Sequence, residues 1–263
     1  MSKIALNRDQ LIRYSRQLML DGMGVDGQQR LQAARVLIIG AGGLGSASAM
    51  SLAGLGVGTL VLADHDHVEA PNLHRQLLHD NDDTGRLKVD SAADTLRRIN
   101  PDIQLELIPE RVTAASLEKL VGNVDVVVDG CDNFDTRFAV NDACVRLRRP
   151  LVSGAAIRYQ GQVAVFRPDR TDQPCYRCLY PQADDTAETC AVAGILPPIV
   201  GIIGNHQALE TVKIITGIGE DLAGRLLLFD ALQSQWRSVR LRRDPHCPAC
   251  GQAPANKRSS ADT

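Results

Sequence analysis

The six residues Gly40-Ala41-Gly42-Gly43-Leu44-Gly45 limit the folds open to this chain more than any other stretch. They form a G-x-G-x-x-G that follows the apolar run RVLII (35–39) and opens an alanine-rich stretch of helical character. Asp64 closes a second apolar run, TLVLAD (59–64), about twenty residues on. Glycines at these spacings permit a tight strand-to-helix turn and let the backbone approach phosphate oxygens. The helix N-terminus adds free N–H groups and a partial positive charge, and the acid is placed to bind a ribose hydroxyl. The plainer alternative is a glycine turn needed only for close helix–strand packing.

Strands and helices alternate around this unit. Residues 36–63 carry no charged side chain and are long enough to span a bilayer, but their seven glycines divide them into strand, turn, helix and strand. The other charge-poor stretch, 191–209, is broken by Pro197-Pro198 and carries His206, which fits a buried helix starting after the prolines. No transmembrane helix is expected. A helix with Leu11, Tyr14 and Leu18 near one face is expected after Asn7, a plausible cap. Helices are predicted at 88–99, 113–121 and 134–148, and strands at 103–108, 124–128 and 150–153. This alternation predicts an α/β fold: a Rossmann-like, doubly wound, mostly parallel sheet with right-handed crossovers. Beyond Ser153 the runs GQVAVF, RLLLFD and QWRSVRL read as hairpin strands, with one helix near 199–216, so an antiparallel C-terminal part is expected to extend the sheet. The organisation is one domain over 1–251, with a nucleotide-binding half at about 30–153, a second half at about 154–251, and a polar tail at 252–263 expected to be disordered.

The charge balance excludes some partners. Lysine and arginine (29) nearly match aspartate and glutamate (31), a formal net charge of −2, so nothing global favours nucleic acid or an anionic membrane. The start MSKIALNRDQ lacks the basic-then-apolar pattern of a signal peptide, and seven cysteines are an odd set for a secreted framework. A reducing cytoplasm is the expected location.

The glycine fingerprint points to an adenine nucleotide without choosing between a dinucleotide dehydrogenase and an ATP-using enzyme. Other residues bear on that choice. Arg75 follows soon after Asp64, Lys88 begins the next helix, and Asp132-Asn133 follow a buried strand, all at the carboxyl edge where parallel sheets bind ligands. A triphosphate carries about four negative charges and needs several cations, which Arg75, Lys88 and a Mg²⁺ held by Asp132 would supply. Taken singly, each is a weak signal: a lone Arg or Lys such as Arg75 or Lys88 is more often a solvated charge, and Asp132 can simply cap the following helix.

Cys175-Tyr-Arg-Cys178 and Cys247-Pro-Ala-Cys250 are two C-x-x-C pairs that together can close a four-sulfur structural Zn²⁺ site, against redox dithiols or unrelated turns. The stretch 179–246 between them makes such a site a staple from the chain's end to its middle. A closed site has no open position and so no catalytic role. Cys131 and Cys144 read as small core residues. Cys190, in a polar stretch just before an apolar one, is a candidate nucleophile or an incidental thiol.

Taken together, RYSRQ (13–17), the glycine loop, NLHRQ (72–76), Asp132-Asn133 with Arg137 and Asn141, SGAAIR (153–158), CYRC, TCAVAG (189–194) and CPACG resemble the adenylyltransferases of sulfur-carrier proteins, the MoeB, ThiF and HesA group. The resemblance runs over nearly the whole chain. It implies ATP- and Mg²⁺-dependent adenylation of the C-terminal Gly-Gly carboxylate of a small ubiquitin-like carrier, with release of pyrophosphate and later attack by a sulfur donor. It places ATP contacts at Gly43, Asp64, Asn72, Arg75, Lys88, Asp132 and Asn133. It implies a homodimer in which Arg16 reaches the neighbouring subunit's phosphate site, zinc on Cys175, Cys178, Cys247 and Cys250, and a crossover cysteine at Cys190.

The chain departs from that pattern at His74, Pro71 and Gly130-Cys131, none of which removes a charged group that the chemistry uses. SGAAIR resembles the molybdopterin-synthase branch and its MoaD-type carrier, whereas LADHDHV and QWRSVRLRR resemble the thiamine branch with a ThiS-type carrier; the former is favoured. An NAD-dependent oxidoreductase and a non-catalytic docking scaffold are the readings from other classes.

Overall fold

In the computed structural model, which describes residues 6–182 and 193–251, hydrophobic alternation decides which side of each strand meets which helices. The chain begins with three helices, α1 (Arg8–Arg13), α2 (Ser15–Leu18) and α3 (Gly24–Ala33). Strand β1 (Arg35–Ile39), helix α4 (Gly43–Leu55) and strand β2 (Thr59–Ala63) follow as the first βαβ unit. Next come α5 (Lys88–Ile99), β3 (Gln104–Ile108), α6 (Ala114–Gly122), β4 (Val126–Asp129) and α7 (Phe134–Leu147). The second half holds β5 (Leu151–Ile157), β6 (Gln160–Phe166), α8 (Tyr176–Leu179), α9 (Pro197–Thr216), β7 (Arg225–Asp230) and β8 (Gln235–Arg240).

One eight-stranded sheet runs through the molecule in the order β3-β2-β1-β4-β5-β6-β7-β8. Pairings from β3 to β5 are parallel, and those from β5 to β8 are antiparallel. The expected antiparallel extension of a parallel sheet is therefore present. Val36 and Ile38 of β1 pack with α3, α4, α5 and α9, while Leu37 and Ile39 point the other way and pack with α6 and α7. This period of two, with helices on both faces, explains why β1 and β4 are continuous apolar runs.

Local signals decide several boundaries. Asn7 caps α1 in a reciprocal pair with Gln10, as its position predicts. The single amphipathic helix expected there breaks at Tyr14 (φ −94°, ψ 6°), and Leu11 is exposed. Tyr14 is instead drawn into the core, where its hydroxyl accepts from Asn100 Nδ2 at 2.9 Å and its ring covers Gly56. The two prolines lie inside the first turn of α9 rather than ahead of it, a place where their missing N–H costs nothing. Helix α4 packs against α9 at backbone distance: a Cβ on Gly204 would stand 2.5 Å from the Leu44 carbonyl oxygen, and Ser48 Oγ donates to the Gly204 carbonyl at 2.9 Å. Small residues make the 36–63 stretch a tightly packed interior unit, and no helix among the described residues is long and apolar enough to cross a membrane.

Candidate functional site

The carboxyl ends of β1, β2 and β4 meet at one edge, and the loops leaving them build the wall of a cleft of about 800 Å³. The glycine loop leaves β1. Gly40 has φ +91°, and a Cβ there would lie 2.9 Å from the Gly130 carbonyl oxygen; at Gly45 a Cβ would lie 1.8 Å from the Gly40 carbonyl oxygen. Only glycine fits either position. Gly42 caps α4 in extended conformation, and Gly43 begins the helix, so the first N–H groups of α4 are presented at the cleft.

Asp64, at the end of β2, faces the same loop. Its Oδ2 accepts the Ala41 N–H at 2.7 Å and its Oδ1 accepts the Asp66 N–H at 2.9 Å. The carboxylate therefore holds the loop as well as lining the cleft. Arg75 lines it too, and Asn72 accepts from Arg75 Nη2 at 2.8 Å, orienting the guanidinium without itself reaching the cleft wall. Lys88, buried at the start of α5, extends its Nζ to Asp66 Oδ2 at 2.9 Å. Asp132 lies exposed at the cleft, and among the described residues no cation pairs with it. Asn133 caps α7 by accepting the Thr136 N–H at 2.9 Å and donates weakly to Asp132 Oδ1 at 3.3 Å. Thus Gly43, Asp64, Arg75, Lys88, Asp132 and Asn133 converge on one cavity. Arg16 does not: it is exposed on α2 and stands outside the cleft lining of its own chain.

Sequence reasoning missed the support beneath this wall. Asp129, 1% exposed at the end of β4, accepts Ser153 Oγ–H at 2.8 Å and the Cys131 N–H at 2.9 Å, and lies 3.5 Å from Arg137. Burial works against the Arg137 charge, and the Asp129 carboxylate together with Tyr176 and Cys131 more than offsets it, so the guanidinium is held above its ordinary value. Arg137 also donates to the carbonyls of Gly154 and Cys131, tying β5 to the loop that carries Asp132. For Asp129 itself the sequence signal was a carboxylate ending the apolar run VVVD (126–129). Burial pushes the Cys131 and Cys144 thiols up, in keeping with core residues.

From the glycine-loop end the cleft continues along the antiparallel extension, past Ala156, Ile157, Gln162, Leu228, Trp236 and Arg237. Strand β8 is exposed throughout, which leaves the sheet edge open beside this end.

Separately, Cys175, Cys178, Cys247 and Cys250 come together as free thiols, every sulfur within 4.8 Å of the others. The Sγ separations 175–178, 175–247 and 178–250 are 4.0, 3.6 and 3.4 Å. A tetrahedron with metal–sulfur bonds of about 2.3 Å has edges of about 3.8 Å, so the donor set suits Zn²⁺ in type and spacing. The Cys178 thiol is pushed down to about 5, chiefly by its hydrogen bond with Cys175 and also by the backbone N–H groups of Asp244 and Cys175. Asn141 holds the other side, donating to Cys175 Sγ at 3.8 Å and accepting the Tyr176 N–H at 2.8 Å. Cys190, the remaining candidate, lies outside the described residues.

Comparison with known proteins agrees with this geometry. A model of the ThiF family matches residues 14–249. The chain is 47% identical over 251 residues to the sulfur carrier protein ThiS adenylyltransferase of Escherichia coli, covering 95% of this chain and 99% of that protein. It is 43% identical over 247 residues to the molybdopterin-synthase adenylyltransferase of the same species, covering 94% and 99%. The adenylyltransferase and sulfurtransferase MOCS3 of Mus musculus is 48% identical over 255 residues, covering 96% of this chain but 55% of that protein, so the chain spans about half of that relative. Among solved structures, Escherichia coli MccB with MccA-N7isoASN superposes at TM-score 0.81 and 27% identity, over 91% of this chain and 75% of that one. A second structure of MccB, with ATP, gives TM-score 0.80 and 25% identity over 91% and 73%. With a family match from Tyr14 to Ala249 and relatives of this identity over their full length, the chain belongs to the ThiF family, among the adenylyltransferases of the MoeB and ThiF type.

Proposed function

We propose that this chain uses ATP to adenylate the C-terminal Gly-Gly carboxylate of a small ubiquitin-like sulfur-carrier protein, releasing pyrophosphate. The observation that carries the reading is the single continuous cleft. One end holds the glycine loop with Arg75, Lys88 and Asp132, and the other opens along β5 to β8, where a polypeptide tail can approach the nucleotide. A tail ending in two glycines brings no side chains and needs only a narrow path.

A terminal carboxylate is ionised at pH 7, with a pKa of about 3.5, so its attack on the α-phosphate needs no general base. The barrier is charge repulsion between two anions. Arg75 and Lys88 neutralise phosphate charge, the α4 N–H groups donate to phosphate oxygens, and Asn72 keeps the Arg75 guanidinium in place. The exposed Asp132 carboxylate at the cleft is the ligand type Mg²⁺ uses alongside phosphates, and when bound the ion would neutralise charge on the triphosphate. Asp64 and Asn133 complete the nucleotide contacts. Arg16 is assigned to the neighbouring site of a homodimer; its absence from its own cleft lining supports that assignment. Zn²⁺ on Cys175, Cys178, Cys247 and Cys250 would be structural. We assign residues 1–251 to one domain, with the two halves meeting at β5. Cys190 belongs to a later sulfur-transfer step, and Cys190→Ala is expected to spare adenylation.

A MoaD-type carrier of molybdenum cofactor biosynthesis is the substrate we favour, on SGAAIR. The second reading is a ThiS-type carrier of thiamine biosynthesis, favoured by the 47% identity to a ThiS adenylyltransferase. Exchange of labelled pyrophosphate into ATP, run separately with each carrier, tests both. Exchange with one carrier alone assigns the substrate; ATP binding without exchange on either overturns the carrier assignment.

A further inference from the structure

Behind the glycine loop lies a buried chain of hydrogen bonds that the reaction above does not use. His79 Nδ1 stands 2.7 Å from Ser91 Oγ, Ser91 Oγ donates to Asp83 Oδ2 at 2.7 Å, and His79 Nε2 stands 3.1 Å from the Ala41 carbonyl oxygen. All three side chains are buried. The far end is fixed: Asp83 accepts the Asp80 N–H at 3.1 Å and pairs with Arg86. The near end is the loop itself.

A carbonyl oxygen only accepts, so Nε2 must carry hydrogen. As an imidazolium the ring donates from both nitrogens and Ser91 keeps its hydrogen on Asp83; as a neutral ring with hydrogen on Nε2, Nδ1 accepts the Ser91 hydroxyl hydrogen, which then leaves Asp83. In both forms the bond to Ala41 survives, and Ser91 sets the plane of the ring.

Ala41 is thereby held at both of its backbone groups, its N–H by Asp64 at 2.7 Å and its carbonyl by His79 at 3.1 Å, with Ser46 Oγ a more distant donor at 3.5 Å. In a trans peptide the carbonyl and the next N–H point in opposite directions. Fastening the Ala41 carbonyl to His79 therefore turns the Gly42 N–H the other way. Gly40 and Gly42 line the cleft and Ala41 does not, and no described residue accepts from the Gly42 N–H. Ser91 also lies one turn beyond Lys88 on α5, so the same relay ties the loop to the helix that supplies a cleft cation.

We infer that His79 is a positioning residue for the nucleotide. Through Nε2–H on the Ala41 carbonyl, with Ser91 and Asp83 setting the ring, it aims the glycine-loop N–H groups at the phosphates and keys that loop to Lys88. The inference rests on the reading that the loop binds ATP.

The test compares the full chain with His79→Phe, His79→Gln and Ser91→Ala, by ATP titration calorimetry, exchange kinetics and thermal unfolding. His79→Phe keeps the ring but loses both nitrogens; it is expected to weaken ATP binding about tenfold, with the KM for the carrier unchanged. His79→Gln can place an amide N–H near the Ala41 carbonyl and is expected to recover most of that loss. Ser91→Ala is expected to show a smaller defect of the same kind, about threefold. In the wild-type chain, ¹⁵N shifts of the His79 ring are expected to show hydrogen on Nε2. Wild-type ATP affinity in folded His79→Phe overturns the inference, as does an equal rise in the ATP and carrier KM in both His79 variants. If His79→Phe does not fold, wild-type ATP affinity in Ser91→Ala, or a ring protonated at Nδ1 alone, overturns it. A wild-type chain that binds no ATP fails the nucleotide reading itself, a result distinct from variants that all bind ATP alike.

Discussion

Asp129 and Asp132 stand three positions apart, and their surroundings give them opposite work. Asp129 is enclosed by Ser153, the Cys131 N–H and Arg137, and its charge is balanced inside the protein. Asp132 faces the cleft, and among the described residues no cation pairs with it. Asp129→Ala strands a buried guanidinium and is expected to destabilise the chain by about 3–5 kcal/mol, read as a lower urea midpoint at unchanged slope. Asp132→Ala is expected to keep the wild-type melting temperature and lose pyrophosphate exchange by at least about a hundredfold. Near-normal exchange in that folded variant would remove Asp132 from the site. Asp132 was legible because an acid after a buried strand at a carboxyl edge has a ligand-binding place to occupy. Asp129 was not, because the side chains that make its burial tolerable sit on other elements, Arg137 on α7 and Ser153 on β5, and only the fold turns them toward it.

At the scale of elements, the strand–turn–helix unit at 35–63 depends on backbone approaches that a methyl group would block. Gly45→Ala places a Cβ against the Gly40 carbonyl oxygen, so the loop must open. Loss of ATP binding and a destabilisation of about 1–3 kcal/mol are expected. Gly54, in the last turn of the same helix, has its nearest outside neighbour at 4.0 Å, and Gly54→Ala is expected to raise stability by about 0.5–1 kcal/mol with ATP affinity unchanged. Equal effects from the two changes would show that the loop is not held by the contact described. The N-terminal segment shows the limit of periodicity at this scale. Leu11, Tyr14 and Leu18 share a helical face in sequence, yet Tyr14 finds its partners at Asn100 and Gly56, and the helix breaks to let it reach them.

For the whole molecule, two connections reach across long stretches of chain. The four cysteines join the end of the described chain to α8 and, through Asn141, to α7. About one zinc per chain is expected by elemental analysis, and Cys247→Ser is expected to lose the metal and lower the melting temperature. Metal-free wild-type protein with an unchanged melting temperature would dismiss the site. The second connection is the proposed one, between the subunits of a homodimer. Arg16→Ala and Asp132→Ala homodimers are each expected to be inactive, and mixing them with subunit exchange is expected to restore about a quarter of wild-type exchange activity, because half of the dimers regain one site. No recovery despite exchanged subunits would place Arg16 outside the neighbouring site.

The sequence by itself determined the parallel half of the sheet, the glycine turn and the two cysteine pairs. Each is written in neighbouring residues: apolar runs that need cover on both faces, glycines at a strand-to-helix junction, thiols spaced to share one ion. It also carried the family resemblance, because the motifs are short and local. Only the tertiary structure decided that Asn72 orients Arg75 instead of lining the cleft, that Lys88 meets Asp66, and that Asp64 holds the Ala41 backbone. It alone brought Asp129 to Arg137 and His79 to the back of the glycine loop. These are bonds between side chains on different elements, and their cost or benefit depends on burial and on partners that no local pattern records.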